Sequence, residues 1–309
     1  MTRVVLFGGN GFIGGAIRSA IQEVVAPPRA EVDMGDAESV RRFLRPGDVV
    51  INAAGYAAAT DRSAAGARRF RRENVRAVEV LADEAARVGV AQVIHISSVA
   101  AMGHREGMSL TEEMLATPRS PYGVSKRDAE VALARRGDDV PITILRPTSV
   151  FGEGRPLAVA LCRIANLPVV PLPAGGRALV PFTHVDNVVS GIGLAVGSDA
   201  CHGRTFIVGD ERSYRLREIV EGLARSMGRT RLRAVPVPVW LLRVAAGAER
   251  RLRGEGTSPV LDPGRIDTMT CSISYSIHAF QQATGYQPTV ALDEATRRIG
   301  AWYVRHRDG

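Results

Sequence analysis

A glycine-rich segment near the start of the chain restricts its fold more than any other feature. Gly8, Gly11 and Gly14 have the spacing G-x-x-G-x-x-G, and they follow directly on the continuous apolar run Val4–Phe7. A short apolar run that ends in glycine is typical of a buried parallel strand. Glycines here permit a tight turn and a close approach of backbone to a ligand, and the N-terminus of the next helix attracts phosphate. The segment therefore predicts a strand, a phosphate-binding turn and a helix.

The chain beyond this loop alternates between strand-like and helix-like segments. The predicted strands are 48–52, 92–98 and 142–146, and the predicted helices are 12–25, 74–88 and 125–136. Gly89 follows the second of these helices, as a helix C-terminus favours. Strands that alternate with helices of this length indicate an α/β fold, a Rossmann-type doubly wound parallel sheet.

The alternation of strand-like and helix-like segments stops after Gly152, which predicts a second, smaller lobe. Prolines interrupt the next thirty residues, and helical segments dominate from Leu216 onward. We predict a dinucleotide-binding Rossmann domain and a smaller, mostly helical C-terminal substrate lobe. The boundaries are 1–151 and 182–211 for the first domain and 152–181 and 212–309 for the lobe.

The formal charge of +8 raises the question of a nucleic acid partner. The basic residues are dispersed, and their densest cluster, Ala67–Arg72, lies among helical residues, so we interpret it as a solvated helix face and expect no nucleic acid partner. The three cysteines have no C-x-x-C pairing and the six histidines have no metal-ligand spacing, so neither a disulfide framework nor a metal site is predicted.

The first strand begins almost at the start of the chain, which leaves no room for a signal peptide and predicts a cytoplasmic protein. No run of 18 apolar residues predicts a membrane span. The basic and apolar segment Val239–Arg253 could touch a membrane surface, although packing within the lobe is the interpretation that we prefer.

Lys126 is the only lysine among 40 basic residues, and it follows Tyr122 at helical spacing. Residues i and i+4 share one face of a helix, so the phenol and the ammonium are neighbours. A nearby cation lowers the pKa of tyrosine, so that the phenol can exchange a proton at neutral pH. Hydride transfer at an alcohol or ketone carbon requires such a group.

Ser98 ends the third strand and can donate a hydrogen bond to the substrate oxygen. His95, within that strand, is predicted to be a core histidine.

These motifs, in this order, resemble the extended short-chain dehydrogenase/reductase family, which includes nucleotide-sugar epimerases and dehydratases. Further segments with the same resemblance are Asn52–Gly55, Asn74, Leu145–Gly152 (the family's L-R-P-x-x-V-Y-G), Phe182–Asn187 and Gly285–Pro288. The resemblance implies an NAD(P)-dependent oxidoreductase that acts on a small molecule, and a homodimer formed through two helices per subunit.

The resemblance also implies roles for individual residues. Tyr122 is the acid/base, Lys126 tunes its pKa and binds the cofactor ribose, and Ser98 polarises the substrate oxygen. The implied cofactor contacts are Gly8, Asn10, Gly11, Phe12, Ile13, Gly14, Asp33, Met34, Ala53, Ala54, Gly55, Tyr122, Lys126 and Pro147. The implied substrate contacts are Ser98, Ser149 and Arg177.

The choice of cofactor and substrate depends on departures from the family pattern. Residues 22–29 lack the usual second strand and its terminal acidic residue, and with Arg29 close by this favours NADP over NAD. Many nucleotide-sugar enzymes of the family carry an arginine where this chain has Val180, so either Arg177 substitutes or the substrate lacks a diphosphate. Segments 236–253 and 258–260 resemble relatives that act on sterol-like alcohols as well as sugar epimerases.

The sequence therefore predicts reversible hydride transfer between NAD(P)H and a secondary alcohol or ketone, of sugar-nucleotide or sterol-like type. A nucleotide-sugar 4-epimerase and a non-catalytic cofactor sensor are the alternatives. Dehydration would need a further acid/base pair, for which Glu112 and Glu113 are the candidates, but Val99 and Ala100 stand where dehydratases usually have Asp-Glu.

Overall fold

The computed structural model describes residues 2–103, 106–253 and 263–307. The segment 258–260, compared above with sterol-acting relatives, lies outside them. The strands are β1 Val4–Phe7, β2 Val49–Asn52, β3 Gln92–Ile96, β4 Gly107–Leu110, β5 Ile142–Pro147, β6 Ser149–Phe151, β7 Val170–Pro173, β8 Leu179–Val180, β9 Phe182–His184, β10 Arg204–Val208, β11 Tyr214–Arg215, β12 Ala234–Val237 and β13 Ile273–Tyr275. The α-helices are α1 Phe12–Ala20, α2 Ala37–Arg41, α3 Ala64–Phe70, α4 Ala77–Val88, α5 Pro121–Ala134, α6 Pro156–Ala165, α7 Val185–Ala195, α8 Leu216–Ser226, α9 Val239–Arg253, α10 Pro263–Thr270, α11 His278–Thr284 and α12 Leu292–His306.

The central sheet has the strand order β1-β2-β3-β5-β10, and every pair in it is parallel. Its strands are mostly apolar and, except for the outer part of β10, fully buried, as expected for a parallel sheet that is covered on both faces. The doubly wound Rossmann-type fold that we predicted is therefore present. Strand β10 shows that the segment after residue 182 returns to the sheet.

Helix α1 ends earlier than predicted, at Ala20 instead of Val25. Val25 forms a single parallel bridge with Val5, in which the Leu6 N–H donates to the Val25 carbonyl at 2.8 Å. Val25 thus pairs with the free edge of β1, in the place where the usual second strand of the fold would lie. Strand order consequently reverses at β1, and in doubly wound sheets ligands bind at such a reversal.

Helix α5 begins four residues before its predicted start. The Ser120 side chain accepts a hydrogen bond from the Gly123 N–H, and Pro121 occupies the first helical position. Both are signals of a helix N-terminus. As a result, Tyr122 and Lys126 lie on the same helix from its first turn.

Three hydrophobic clusters form the core. One lies on each face of the sheet, the first beneath α1, α7 and α11 and the second beneath α4 and α5. The third is built from α6, α8 and α12 with β7, β8 and β9, which supports a separate smaller lobe. Ile273, Phe280 and Tyr286 belong to the first cluster. We therefore propose that residues 273–286 belong with the sheet, whereas the sequence-based boundary assigned them to the lobe.

Within the described ranges, no helix combines the length and the apolar character that crossing a membrane would take.

Candidate active site

The glycine-rich loop and the loop after β2 touch through their backbones at the carboxyl end of the sheet. Gly8 has φ +88°, and a Cβ on it would lie 2.4 Å from the Ala54 nitrogen. A Cβ on Gly14 would lie 2.1 Å from the Gly8 carbonyl oxygen. Neither neighbour can yield, since both are backbone, so only glycine is tolerated at these two places. The result is a shallow cradle without side chains, of the kind a dinucleotide needs.

Helix α1 offers its N-terminus to this cradle. Gly11 is its N-cap residue, and no side chain caps the helix. Its first N–H groups are therefore available to an anion such as a phosphate. Phe12 and Ile13 are half-buried in the first turn, and the exposed Asn10 accepts a hydrogen bond from Arg18 at 3.2 Å.

The other residues expected to contact the cofactor lie at the same end of the sheet or in turns beside it. Met34 and Ala54 both pack against the second core cluster. The Asp33 carboxylate is exposed and accepts a hydrogen bond from the Gly35 N–H at 2.9 Å, so it is held in its own turn. Pro147 ends β5, and Ser149 begins β6 immediately after it.

Lys126 is buried, and its ammonium donates a hydrogen bond to the Ile96 carbonyl at 2.8 Å. Ile96 is the last residue of β3, so this contact ties helix α5 to the strand that leads into Ser98. Burial lowers the pKa of Lys126 to about 8, against the attraction of the Glu130 carboxylate, which raises it. Lys126 is therefore less firmly charged than an ordinary lysine.

Burial raises the pKa of Tyr122 above its usual value, and the nearby Ser98 hydroxyl and the charge of Arg155 lower it in part. The expectation that Lys126 lowers this pKa differs from what the structure shows. The ammonium is directed to the Ile96 carbonyl, and the cation that acts on the phenol is Arg155. The Ser98 hydroxyl lies near the phenol, and the joint action of the two groups on a substrate stays a prediction.

A buried ionic network supports this site from below. Glu130 accepts hydrogen bonds from Ser97 at 2.6 Å and from both ends of the Arg146 guanidinium at 2.8 Å. It thereby joins the carboxyl end of β3 to α5 and β5. Glu130 belongs to no motif that the sequence offered. Arg146 within strand β5 is nevertheless a signal, because a buried arginine requires a carboxylate nearby.

Glu112 and Glu113, the candidate acid/base pair of a dehydratase, have different surroundings. A carboxylate oxygen of Glu112 accepts a hydrogen bond from the Ile207 N–H at 2.7 Å, at the edge of β10, and Glu113 is exposed. The Glu112 contact holds the loop against the sheet and argues against an acid/base role for this residue.

Asn74 connects the loop after β2 to helix α5. Its side-chain oxygen accepts from the Tyr56 N–H at 2.7 Å, and its nitrogen donates to the Tyr56 carbonyl at 3.0 Å and to the Ser125 hydroxyl at 2.9 Å. Asn74 lies in a π-helical turn, Arg71–Arg76, between α3 and α4. Such turns are rare and are frequent at functional sites. The sequence predicted Asn74 as the start of a helix and as a point of resemblance to the family, but not these contacts.

The remaining candidates have simpler surroundings. His95 is a core histidine, as predicted. It is 1% exposed, and burial and the charge of Lys126 hold its pKa well below the usual value. Arg29 is exposed and pairs with Glu73 at 3.4 Å. Arg177 is exposed, and Val180 is buried in the core of the smaller lobe. In the described ranges, no three His, Cys, Asp or Glu side chains are grouped to hold a metal ion.

A family model for the NAD dependent epimerase/dehydratase family matches residues 4–209. The uncharacterized protein YbjS of Escherichia coli is 30% identical over 247 residues, which are 75% of this chain and 72% of that protein. The UDP-glucose 4-epimerase of Vibrio cholerae is 25% identical, and the match covers 98% of this chain and 95% of that protein. The 2-alkyl-3-oxoalkanoate reductase of Stenotrophomonas maltophilia is 26% identical, with coverage of 97% and 98%.

Two solved structures share the fold at low sequence identity. The UDP-glucuronic acid 4-epimerase of Bacillus cereus, in complex with NAD, has a TM-score of 0.75 at 18% identity, with 100% of this chain and 99% of that chain covered. RMD of Pseudomonas aeruginosa, complexed with NADPH, has a TM-score of 0.76 at 20% identity, with coverage of 98% and 100%.

Proposed function

The chain belongs to the NAD-dependent epimerase/dehydratase family, and from this premise we propose that it reduces a ketone, or oxidises the matching secondary alcohol. It is an NAD(P)-dependent oxidoreductase of the extended short-chain dehydrogenase/reductase type. The observation that carries the proposal is the placement of Tyr122 in the first turn of α5, one helical turn before the buried Lys126, whose ammonium is bonded to the end of the strand that leads into Ser98. This intact set also argues against a non-catalytic sensor.

The cradle at the carboxyl end of the sheet suits a dinucleotide, because a Cβ at Gly8 or Gly14 would fill it. The N–H groups at the start of α1 would hold the phosphates, and Lys126 would contact the nicotinamide ribose. When bound, the nicotinamide supplies or accepts the hydride.

Tyr122 and Ser98 handle the substrate oxygen. The Ser98 oxygen accepts a hydrogen bond from the Ala100 N–H at 3.1 Å, so its proton remains free to donate. Because burial raises the pKa of Tyr122, the phenol stays protonated at neutral pH. A protonated phenol can protonate the substrate oxygen as the carbon gains hydride, and it takes the proton back when the alcohol is oxidised.

Tyr122→Phe tests this proposal. The substitution removes the proton donor and keeps the ring, so we expect turnover of a ketone to fall by about 10³-fold or more. Cofactor affinity should stay within about twofold, because the phenol is not needed to bind phosphates. Oxidation of NADH and NADPH measures the first quantity, and fluorescence titration measures the second. Tyr303→Phe, in the core of the smaller lobe, is the control. Undiminished turnover in the Tyr122 variant would refute the proposed role.

A second candidate is a nucleotide-sugar 4-epimerase, favoured by the match to the UDP-glucose 4-epimerase along almost the whole chain. The same groups would then oxidise and re-reduce a single carbon. An epimerase recycles its cofactor and retains it. Acid denaturation of the purified protein should release about one NAD per chain if it is an epimerase, and far less if it is a reductase.

Several finer predictions continue as parts of this proposal. They are a preference for NADP, a homodimer, a cytoplasmic location, and substrate contacts from Ser149 and Arg177. The Arg29–Glu73 ion pair bears on the first, since a 2′-phosphate would compete with Glu73 for the guanidinium. Tighter binding of NADH than of NADPH would contradict that preference.

A further inference from the structure

Arg155 lies over the ring of Phe12 in the glycine-rich segment, although it belongs to none of the motifs described above. It immediately precedes α6, the first helix of the smaller lobe. Its guanidinium carbon is 4.8 Å from the centroid of the ring of Phe12, which lies within the glycine-rich segment. Its positive charge lowers the pKa of the Tyr122 phenol. Arg155 therefore lies where the smaller lobe meets the glycine-rich segment, within electrostatic range of the proposed proton donor.

This guanidinium has no acidic partner in residues 2–103, 106–253 and 263–307. The nearest carboxylate in sequence, Glu153, is already occupied. It lies 3.2 Å from the His184 ring and 2.8 Å from the Arg298 guanidinium, and these contacts hold its pKa at about 2. A partly exposed arginine without a carboxylate partner is available to bind an anionic ligand. The ring of Phe12 stabilises the cation and keeps its N–H groups oriented, without neutralising it.

Resting on the hydride-transfer function proposed above, we propose that Arg155 binds an anionic group of the substrate, a carboxylate or a phosphate, near the carbon that reacts. The planar fork of arginine suits either oxyanion. The cofactor phosphates have their own donors in the free N–H groups of α1. Arg155 belongs to the lobe, and its charge acts on the Tyr122 phenol. Arg177 is exposed in the same lobe, and no contact in the described residues joins it to Ser98 or Tyr122.

The test measures binding and does not depend on turnover, so its failure is distinct from a failure of the hydride-transfer proposal. The cofactor-saturated protein is melted with UDP, with inorganic pyrophosphate and with 3-oxooctanoate, at constant ionic strength. Wild type is compared with Arg155→Gln, with Arg155→Lys and with Arg163→Gln, an exposed arginine at the other end of α6. A ligand that binds only the folded state raises the melting temperature.

We expect at least one probe to raise the melting temperature of wild type and of the Arg163 variant by a few degrees. Arg155→Gln should lose this rise and bind that probe at least about tenfold more weakly, and Arg155→Lys should retain part of it. UDP and 3-oxooctanoate then distinguish a phosphate from a carboxylate. An equal rise in Arg155→Gln, or no rise in wild type with any probe, would overturn the proposal. So would a tenfold loss of cofactor affinity in Arg155→Gln, which would assign the arginine to the cofactor.

Discussion

At the scale of single residues, the buried ammonium of Lys126 makes the stability of the protein depend on pH. The unfolded chain keeps the lysine proton up to its ordinary pKa of 10.5, whereas the folded chain releases it near pH 8. Between these two pH values the unfolded state binds more protons. The free energy of unfolding contributed by this group therefore rises as the pH increases through the window.

Lys126→Met isolates this contribution. We expect the stability of wild type relative to the Met variant to increase by about 3 kcal/mol between pH 7.5 and 10.5. Urea denaturation of both proteins at four pH values in this range measures the difference. Parallel stability curves would show that the folded lysine titrates normally.

The residues of the site differ in how far the sequence could predict them. Ser98, Tyr122 and Lys126 were identified because their spacing along one strand end and one helix is local. Glu130 and Arg155 were not, because their significance lies in side chains from distant parts of the chain. Arg155 meets Phe12 only after the lobe has folded onto the loop. A linear motif contains no record of such a contact.

At the scale of elements, the turn from β1 into α1 depends on the absence of side chains. Gly14→Ala would place a Cβ 2.1 Å from the Gly8 carbonyl, whereas at the adjacent Gly15 the nearest heavy atom is 3.9 Å away. We expect Gly14→Ala to weaken cofactor binding by about 100-fold or more, because the loop must move away from the phosphates.

Gly15→Ala is the matched control for this prediction. It should bind cofactor normally and gain about 0.5–1 kcal/mol of stability from better helix propensity. Fluorescence titration with NADH and NADPH and thermal melting measure both properties. Equal cofactor affinity in the two variants would mean that the cradle is not the cofactor site.

Element boundaries were predicted less well than element types. The central strands were identified because continuous apolar runs are distinctive. The end of α1 was misplaced because Val25 has an apolar side chain that suits a helix face, and only the free edge of β1 draws it into the sheet. The helix that contains Asn74 was given too late a start, because its arginine-rich beginning has little apolar periodicity, although the cluster Ala67–Arg72 was interpreted as a helix face.

At the scale of the whole molecule, the C-terminal segment fastens the two lobes together. The one proton of the Tyr286 hydroxyl is shared between the Asn187 carbonyl at 3.2 Å and the Gly209 carbonyl at 3.1 Å. The Asn187 side-chain oxygen accepts hydrogen bonds from the N–H groups of Thr289 and Val290. These contacts join the end of the chain to the first domain, while α12 continues from there into the smaller lobe.

Tyr286→Phe should therefore destabilise both lobes together, by about 1–3 kcal/mol. The two tryptophans, Trp240 and Trp302, lie in the smaller lobe, so their fluorescence reports on it, while far-UV circular dichroism reports on the whole chain. We expect the two unfolding transitions to remain coincident and to shift by the same amount. A shift confined to one of them would show that the lobes unfold independently.

Lys126 has a consequence for chemical labelling. Since no other side chain of this protein carries a primary amine, an amine-directed reagent has only two targets, the α-amino group and a lysine at the floor of the proposed cofactor site. Reductive methylation with a ¹³C label would thus introduce one side-chain resonance into the whole spectrum. That resonance would report directly on occupancy and protonation at the centre of the enzyme, without mutation of any residue.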